Sequence, residues 1–165
     1  MCSPEMPALP AEAMMMSASQ RFHAILDTGC THSCAGEQWI LDYLREYERV
    51  TGRTPAFRKF PRSIRFKFGN GQFEATKDSY VAPVILTSGE EGEMELAALK
   101  GNQQPLLSRE SQARLGLIID VAEKGAYSKV LKENLPLVQN EVGHFTLNLL
   151  HFTLNLLHEG EGQRA

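Results

Sequence analysis

Two segments of alternating apolar and polar residues, each interrupted by a glycine-rich turn, constrain the fold of this chain more than any other feature. Alternation with a period of two is typical of a half-buried β-strand, and Gly and Asn accept the positive φ that tight turns require. The sequence therefore predicts two β-hairpins and a mainly β fold. The predicted strands are residues 64–68 and 72–76 around a Gly-Asn-Gly turn, and residues 80–86 and 93–99 around a second turn at 88–92.

One amphipathic helix and one short helix are predicted among these strands. Residues 36–50 place apolar side chains at a helical period, with charged residues on the remaining face. Gly52 is expected to end this helix, and a basic loop is predicted over residues 53–62. Ser108 is expected to cap a short helix that runs to Leu115. The apolar face of the long helix consists of Trp39, Ile40, Tyr43, Leu44, Tyr47 and Val50. Further strands are predicted at residues 22–26, 105–107 and 117–121, the last of them buried.

The composition is that of an ordinary globular protein, with 165 residues, 42% hydrophobic residues and a formal net charge of -3. No apolar run reaches the roughly 18 residues of a membrane helix, and the acidic balance argues against a nucleic-acid partner. We predict a disordered leader (1–20), one domain (21–121) and a C-terminal extension (122–165). The extension repeats His-Phe-Thr-Leu-Asn-Leu-Leu at residues 144–150 and 151–157, and this pattern permits either a strand or a helix.

The cysteines and the N-terminus indicate the compartment. The first residues lack the basic segment of a secretory signal, and three cysteines are an odd number for a secreted disulfide framework. An intracellular, reducing compartment, the cytoplasm, is therefore expected.

The residues that carry chemistry are Asp27, Thr28 and Gly29, which follow the apolar strand at 22–26. The Asp supplies a carboxylate, the Thr hydroxyl can bond to a second copy of the loop, and the Gly permits a tight turn. Two such carboxylates held close together share one proton, because like charges at that distance cannot both ionise, and the pair then acts as acid and base. The sequence contains only one Asp-Thr-Gly or Asp-Ser-Gly, so this site would need two chains on a two-fold axis.

In the order of these segments the chain resembles the retropepsin-like aspartic proteases, most of all the protease region of Copia-type retrotransposon polyproteins. Residues 24–31 (Ala-Ile-Leu-Asp-Thr-Gly-Cys-Thr) are similar to the active-site segment of the family, and residues 66–73 occupy the place of its glycine-tipped flap. Residues 105–109 (Pro-Leu-Leu-Ser-Arg) resemble its turn into a helix, with Ser108 where the family has Gly. The strands that precede the active-site strand in the family have no recognisable counterpart, and the helix at 36–50 is an insertion relative to viral enzymes.

This resemblance implies a retropepsin-like closed β-barrel and an aspartic endopeptidase that acts as a homodimer on a peptide or polyprotein. It implies that Asp27 is the catalytic carboxylate and that Thr28 and Gly29 shape its loop. It also implies a flap that closes over substrate bound as an added strand. The implied flap residues are Phe68, Gly69, Asn70 and Gly71. No cofactor, metal, membrane or nucleic acid is expected to take part.

Other interpretations of the same residues stay open on the sequence alone. The domain could be a catalytically inactive relic that binds peptides or dimerises. Cys30, His32 and Cys34 could bind zinc, although zinc usually takes two separated pairs of ligands. Cys30 could instead be a nucleophile, or form a disulfide with Cys34. The aromatic residues of the long helix could stack on a ligand, and the basic residues in 53–67 could contact nucleic acid.

Overall fold

The described residues form a mainly β fold with one ten-stranded sheet, a separate two-stranded sheet and two helices. The structure is a computed structural model that describes residues 21–68, 71–87 and 90–151. In chain order the elements are β1 (His23–Leu26), β2 (Cys34–Gly36), α1 (Glu37–Thr51), β3 (Arg58–Pro61), β4 (Arg65–Lys67), β5 (Phe73–Ala75), β6 (Asp78–Ile85), β7 (Glu91–Leu99), β8 (Leu106–Leu107), α2 (Arg109–Leu115), β9 (Leu117–Asp120), β10 (Gly125–Ser128), β11 (Glu133–Gln139) and β12 (Phe145–Asn148).

The large sheet is open. Its strand order is β3-β6-β7-β2-β8-β1-β12-β11-β10-β9. β1 runs parallel to β8 and β2 runs parallel to β7, whereas the other neighbours are antiparallel. The mainly β class is confirmed. The predicted closed barrel is wrong for the described part of the chain, because the edge strands β3 and β9 do not pair with each other.

The long helix α1 forms for the reason that its sequence predicts, since its apolar residues share one face and pack on the sheet. Trp39, Tyr43 and Tyr47 are all buried. The Trp39 and Tyr43 rings stack 5.1 Å apart, and the Tyr43 hydroxyl donates to the carbonyl oxygen of Pro83 at 2.7 Å. Gly52 takes a φ of 69° and ends the helix, as predicted. The aromatic stripe is therefore core and not a ligand platform.

The sheet continues through the boundary predicted at residue 121. β12 lies between β1 and β11, with Leu147 opposite Ala24, and Leu149 and Leu150 that follow it are buried. The first copy of the repeat thus contributes a strand to the large sheet. The second copy beyond His151 and the predicted leader (1–20) lie outside the described residues.

Several segments differ from the sequence prediction. Residues 58–61, predicted within a basic loop, form β3 because they pair antiparallel with β6. β9 is an edge strand rather than a buried one, and Ile118 and nearby Val121 are exposed. β2, β10 and β11 were not predicted. β2 and β10, with three and four residues, are too short to show alternation, and Pro136 interrupts the pattern of β11.

The basic residues that follow α1 face acidic partners across the surface. These ion pairs offset much of the positive charge, which weakens the nucleic-acid interpretation. The pairs are Arg53 with Glu91, Lys59 with Glu37, and Arg62 with Glu95. Neither helix of the described chain has the length and hydropathy that crossing a membrane would require.

Candidate active site

The predicted catalytic loop starts where β1 ends, inside the large sheet. β1 pairs in parallel with β8, and Ile25 lies opposite Leu106. The Asp27 N–H donates to the carbonyl oxygen of Leu107 at 3.0 Å, which extends the pairing one residue past the strand. Because this bond joins the loop to a neighbouring strand, the sheet positions the Asp27 backbone.

The chain turns immediately after Asp27 and presents the motif at the surface. The Gly29 N–H donates to Asp27 Oδ1 at 2.9 Å, and the Cys30 N–H donates to the Asp27 carbonyl oxygen at 3.1 Å. Asp27 is half-buried, whereas Thr28 and Gly29 are exposed. A Cβ on Gly29 would lie only 3.3 Å from Asp27 Oδ1. The predicted tight turn around a carboxylate is confirmed, and the backbone orients one carboxylate oxygen.

A second loop, between β8 and α2, contacts the first through backbone atoms and buried hydroxyls. The Arg109 N–H donates to the Cys30 carbonyl oxygen at 3.1 Å, and the Ser108 N–H donates to Ser33 Oγ at 2.9 Å. Ser33 Oγ also lies 2.8 Å from Ser111 Oγ. Ser108 Oγ accepts from the Ser111 N–H at 3.2 Å and caps α2, as predicted. In this serine cluster (Ser33, Ser108 and Ser111), the Ser108 hydroxyl is hydrogen-bonded within the loop.

The hairpin of β4 and β5 packs on the Asp27 loop through its buried face. Phe66 in β4 is 1% exposed and shares a hydrophobic cluster with Ile25, Cys30 and Leu106. The hairpin is closed at its base by Thr76, whose Oγ1 accepts from the N–H of Ile64 at 3.0 Å. The structure therefore brings the base of the predicted flap onto the Asp27 loop.

At the turn of the same hairpin, the structure describes Phe68 and the residues from Gly71 onward. The Phe68 N–H donates to the Gln72 carbonyl oxygen at 2.9 Å, and the Gly71 N–H donates to the Phe68 carbonyl oxygen at 2.9 Å. Gly71 has a φ of 83°, which a glycine adopts without strain. Gly69 and Asn70, the other two predicted flap residues, lie outside the described residues.

The two cysteines beside the loop pack as small apolar side chains. Cys30 and Cys34 are both fully buried thiols. Cys30 Sγ donates to the backbone carbonyl oxygen of His32 at 2.9 Å. In residues 21–68, 71–87 and 90–151, no three His, Cys, Asp or Glu side chains are grouped so that they could hold a metal ion. These contacts favour packing over the zinc and nucleophile interpretations.

His23 is a buried imidazole in β1, the strand that leads into Asp27. Its Nδ1 lies 3.0 Å from Thr146 Oγ1 in β12. The Thr146 hydroxyl donates its only proton to the carbonyl oxygen of Val138 at 2.9 Å, so His23 Nδ1 is the donor to Thr146. Burial, and then the nearby His151, lowers the pKa of His23 from its ordinary 6.5. The folded protein therefore holds a neutral His23 near neutral pH.

Acidification is expected to destabilise the protein through His23. The unfolded chain binds the proton first, so the free energy of unfolding falls as the pH drops from 6.5 to the lowered value of the folded state. For this single group the slope cannot exceed about 1.4 kcal/mol per pH unit. His23→Gln retains an N–H donor for Thr146 and is expected to flatten the slope in urea unfolding at several pH values. His144→Gln is the control, and its free energy of unfolding should keep the pH slope of the wild type. An unchanged slope in the His23→Gln protein would contradict the assignment of the pH dependence to His23.

Ser33 and Ser111 were not predicted from the sequence as part of the site. The available signal was Ser108 in the place of a glycine, since a buried hydroxyl there requires a hydrogen-bond partner.

Comparison of the chain with protein-family models, with curated proteins and with solved structures found no significant match.

Proposed function

We propose that this chain is one half of a retropepsin-like aspartic endopeptidase, in which two chains each contribute Asp27. The observation that carries the proposal is the Asp27 loop itself, held by the Leu107 carbonyl oxygen at 3.0 Å and by the Gly29 N–H at 2.9 Å. Two further contacts support it. The turn at Ser108 bonds to the same loop, and the hairpin packs on it through Phe66.

In the proposed dimer the two Asp27 carboxyls share one proton, because like charges this close cannot both ionise. The ionised carboxylate takes a proton from a water molecule, and that water attacks the scissile carbonyl carbon. The protonated carboxyl donates to the carbonyl oxygen. The Gly29 N–H orients Asp27 Oδ1, so the geometry of the pair is set before the substrate binds. This chemistry needs no cofactor.

The exposed Thr28 stands next to Asp27, where its hydroxyl can bond to the loop of the second chain. The substrate, an extended peptide or polyprotein segment, binds as an added strand beneath the hairpin of β4 and β5, with its side chains alternating into pockets. Residues 68–71 form the flap that covers it. Buried thiols at Cys30 and Cys34 suit a reducing, intracellular compartment.

The requirement for two chains provides the test. We expect cleavage of an unbiased peptide library at about pH 5, with a rate that rises more steeply than linearly with chain concentration in the dilute range. Sedimentation velocity should show a monomer–dimer equilibrium over the same concentrations. The matched control is the cleavage rate at concentrations where nearly all chains are dimeric. There the rate should become proportional to chain concentration.

Two outcomes would contradict the proposal. A well-folded chain that stays monomeric at high concentration and cleaves no peptide would remove it. A stable dimer that cleaves nothing would also remove the endopeptidase, and would instead support an inactive module for peptide binding or dimerisation.

A further inference from the structure

An apolar cavity with an acidic rim lies at one end of β6 and β7, and the proposed reaction does not use it. Its volume is about 210 Å³. We call it the acidic pocket. Its apolar lining consists of Val84, Leu86, Met94, Leu115 and Leu131. Its rim carries Glu90, Glu91, Glu93 and Glu95, and one cation, Arg114, which pairs with Glu110 at 2.8 Å.

A smaller polar cavity of about 90 Å³ borders both the acidic pocket and the segment that follows the Asp27 motif. It is lined by residues 31–33, and it shares Glu95, Ser111 and Arg114 with the acidic pocket. A peptide segment in the acidic pocket can therefore continue along the surface toward the Asp27 loop.

The charges of the rim favour a cationic occupant. Glu91 faces Arg53 at 3.7 Å, and Glu95 pairs with Arg62. Glu90 and Glu93 are exposed, and neither forms an ion pair with another residue that the structure describes. An incoming lysine or arginine would thus meet two carboxylates without displacing an existing ion pair.

We propose that the acidic pocket is a docking site for a peptide segment in which one apolar side chain is flanked by lysine or arginine. The apolar lining accepts the central side chain, and the exposed carboxylates receive its neighbours. A volume below the roughly 300 Å³ of small-molecule sites fits one large side chain rather than a whole ligand. We place this segment in the substrate, away from the peptide bond that is cleaved. This placement rests on the proposed function.

The terminal segments of this chain do not have that chemistry. Residues 1–20 contain no lysine or arginine, and the only basic residue of that kind in 152–165 is Arg164, near Glu159 and Glu161. Like-charge repulsion from the rim disfavours an acidic segment. Residues 1–20 and 152–165 therefore do not suit the pocket, and the proposed occupant is a segment of a partner chain.

The protein contains a reporter for this pocket. Of its six methionines, Met94 lines the pocket, and the others all lie within residues 1–16. In Asp27→Asn protein with isotopically labelled methionine methyl groups, the peptide Gly-Ser-Arg-Leu-Lys-Ser-Gly is expected to shift the Met94 signal saturably and leave the others in place. A matched peptide with Glu in place of Arg and Lys should not shift it. The Asp27→Asn background makes the readout independent of cleavage.

The rim carboxylates are tested by substitution. Glu90→Gln combined with Glu93→Gln is expected to weaken binding about threefold or more, because it removes both carboxylates that lack an ion pair. Glu123→Gln combined with Glu141→Gln removes two exposed carboxylates elsewhere on the surface and should leave the affinity unchanged.

Four results would overturn the docking site: no Met94 shift, an equal response to the acidic peptide, an unchanged affinity in the Glu90 and Glu93 variant, or a Met94 signal that moves on dilution without peptide. The last result would assign the pocket to a second copy of the chain. Binding without any cleavage by the wild-type chain would remove the endopeptidase and leave the docking site. Cleavage by the wild-type chain without this binding would remove the docking site and leave the endopeptidase.

Discussion

Replacing Gly36 by alanine is expected to lower the free energy of unfolding by about 3 kcal/mol, a large share of the stability of an ordinary domain. Gly36 ends β2 and directly precedes α1. A Cβ there would stand 2.3 Å from the Gln103 nitrogen and 2.4 Å from the Gly101 carbonyl oxygen. Both are backbone atoms, so no side-chain rotation relieves the overlap and the loop at 100–104 must move.

That movement would reach the candidate site, because the same loop leads into β8. Gln104 Nε2 donates to the His23 carbonyl oxygen at 2.9 Å, and the Pro105 carbonyl oxygen accepts from the Ile25 N–H at 2.8 Å. Displacing the loop therefore weakens the pairing that positions Asp27.

Urea and thermal unfolding of Gly36→Ala and a matched control measure this effect. Gly125→Ala is the control, because it also places a Cβ on a strand glycine, but there the nearest atom is the Leu135 carbonyl oxygen at 3.9 Å, an ordinary contact. Its stability should change little. A Gly36→Ala protein as stable as the wild type would contradict the close approach of the two backbones.

Replacing Asp27 by asparagine is expected to reduce peptide cleavage by about 10⁴-fold or more with little change in stability. Asparagine retains the oxygen that accepts the Gly29 N–H at 2.9 Å, so the turn is preserved. It cannot ionise, so the pair loses the group that takes a proton from water. Initial cleavage rates measure the first effect, and urea unfolding of the same variant measures the second.

Asp120→Asn is the control for this substitution. Asp120 Oδ1 also accepts a backbone N–H, from Glu123 at 3.0 Å, so the control changes the same chemistry in a similar turn. It should cleave like the wild type. An excess of the Asp27→Asn chain is expected to inhibit the wild type, because mixed dimers hold a single ionisable Asp27. Retained cleavage in the Asp27→Asn protein would contradict the assignment of the catalytic carboxylate.

The elements that the sequence predicts well are those whose signals are local. α1, its end at Gly52 and the cap of α2 at Ser108 follow from periodicity and backbone chemistry within a few residues. The β4–β5 hairpin and the β6–β7 pair follow from alternation on either side of a turn. The Asp27 turn belongs to the same class, since the Gly29 N–H that holds the carboxylate is two residues away.

By itself, the sequence determined the mainly β class, both helices and the turn that presents Asp27. Only the tertiary structure decided that the sheet is open, that β12 joins β1 and that the Ser108 hydroxyl lies in a buried cluster with Ser33. The physical reason is separation along the chain. Alternation marks a strand but does not specify its neighbour, and Ser33 and Ser108 are 75 residues apart, so their contact exists only after β1, β2 and β8 have paired.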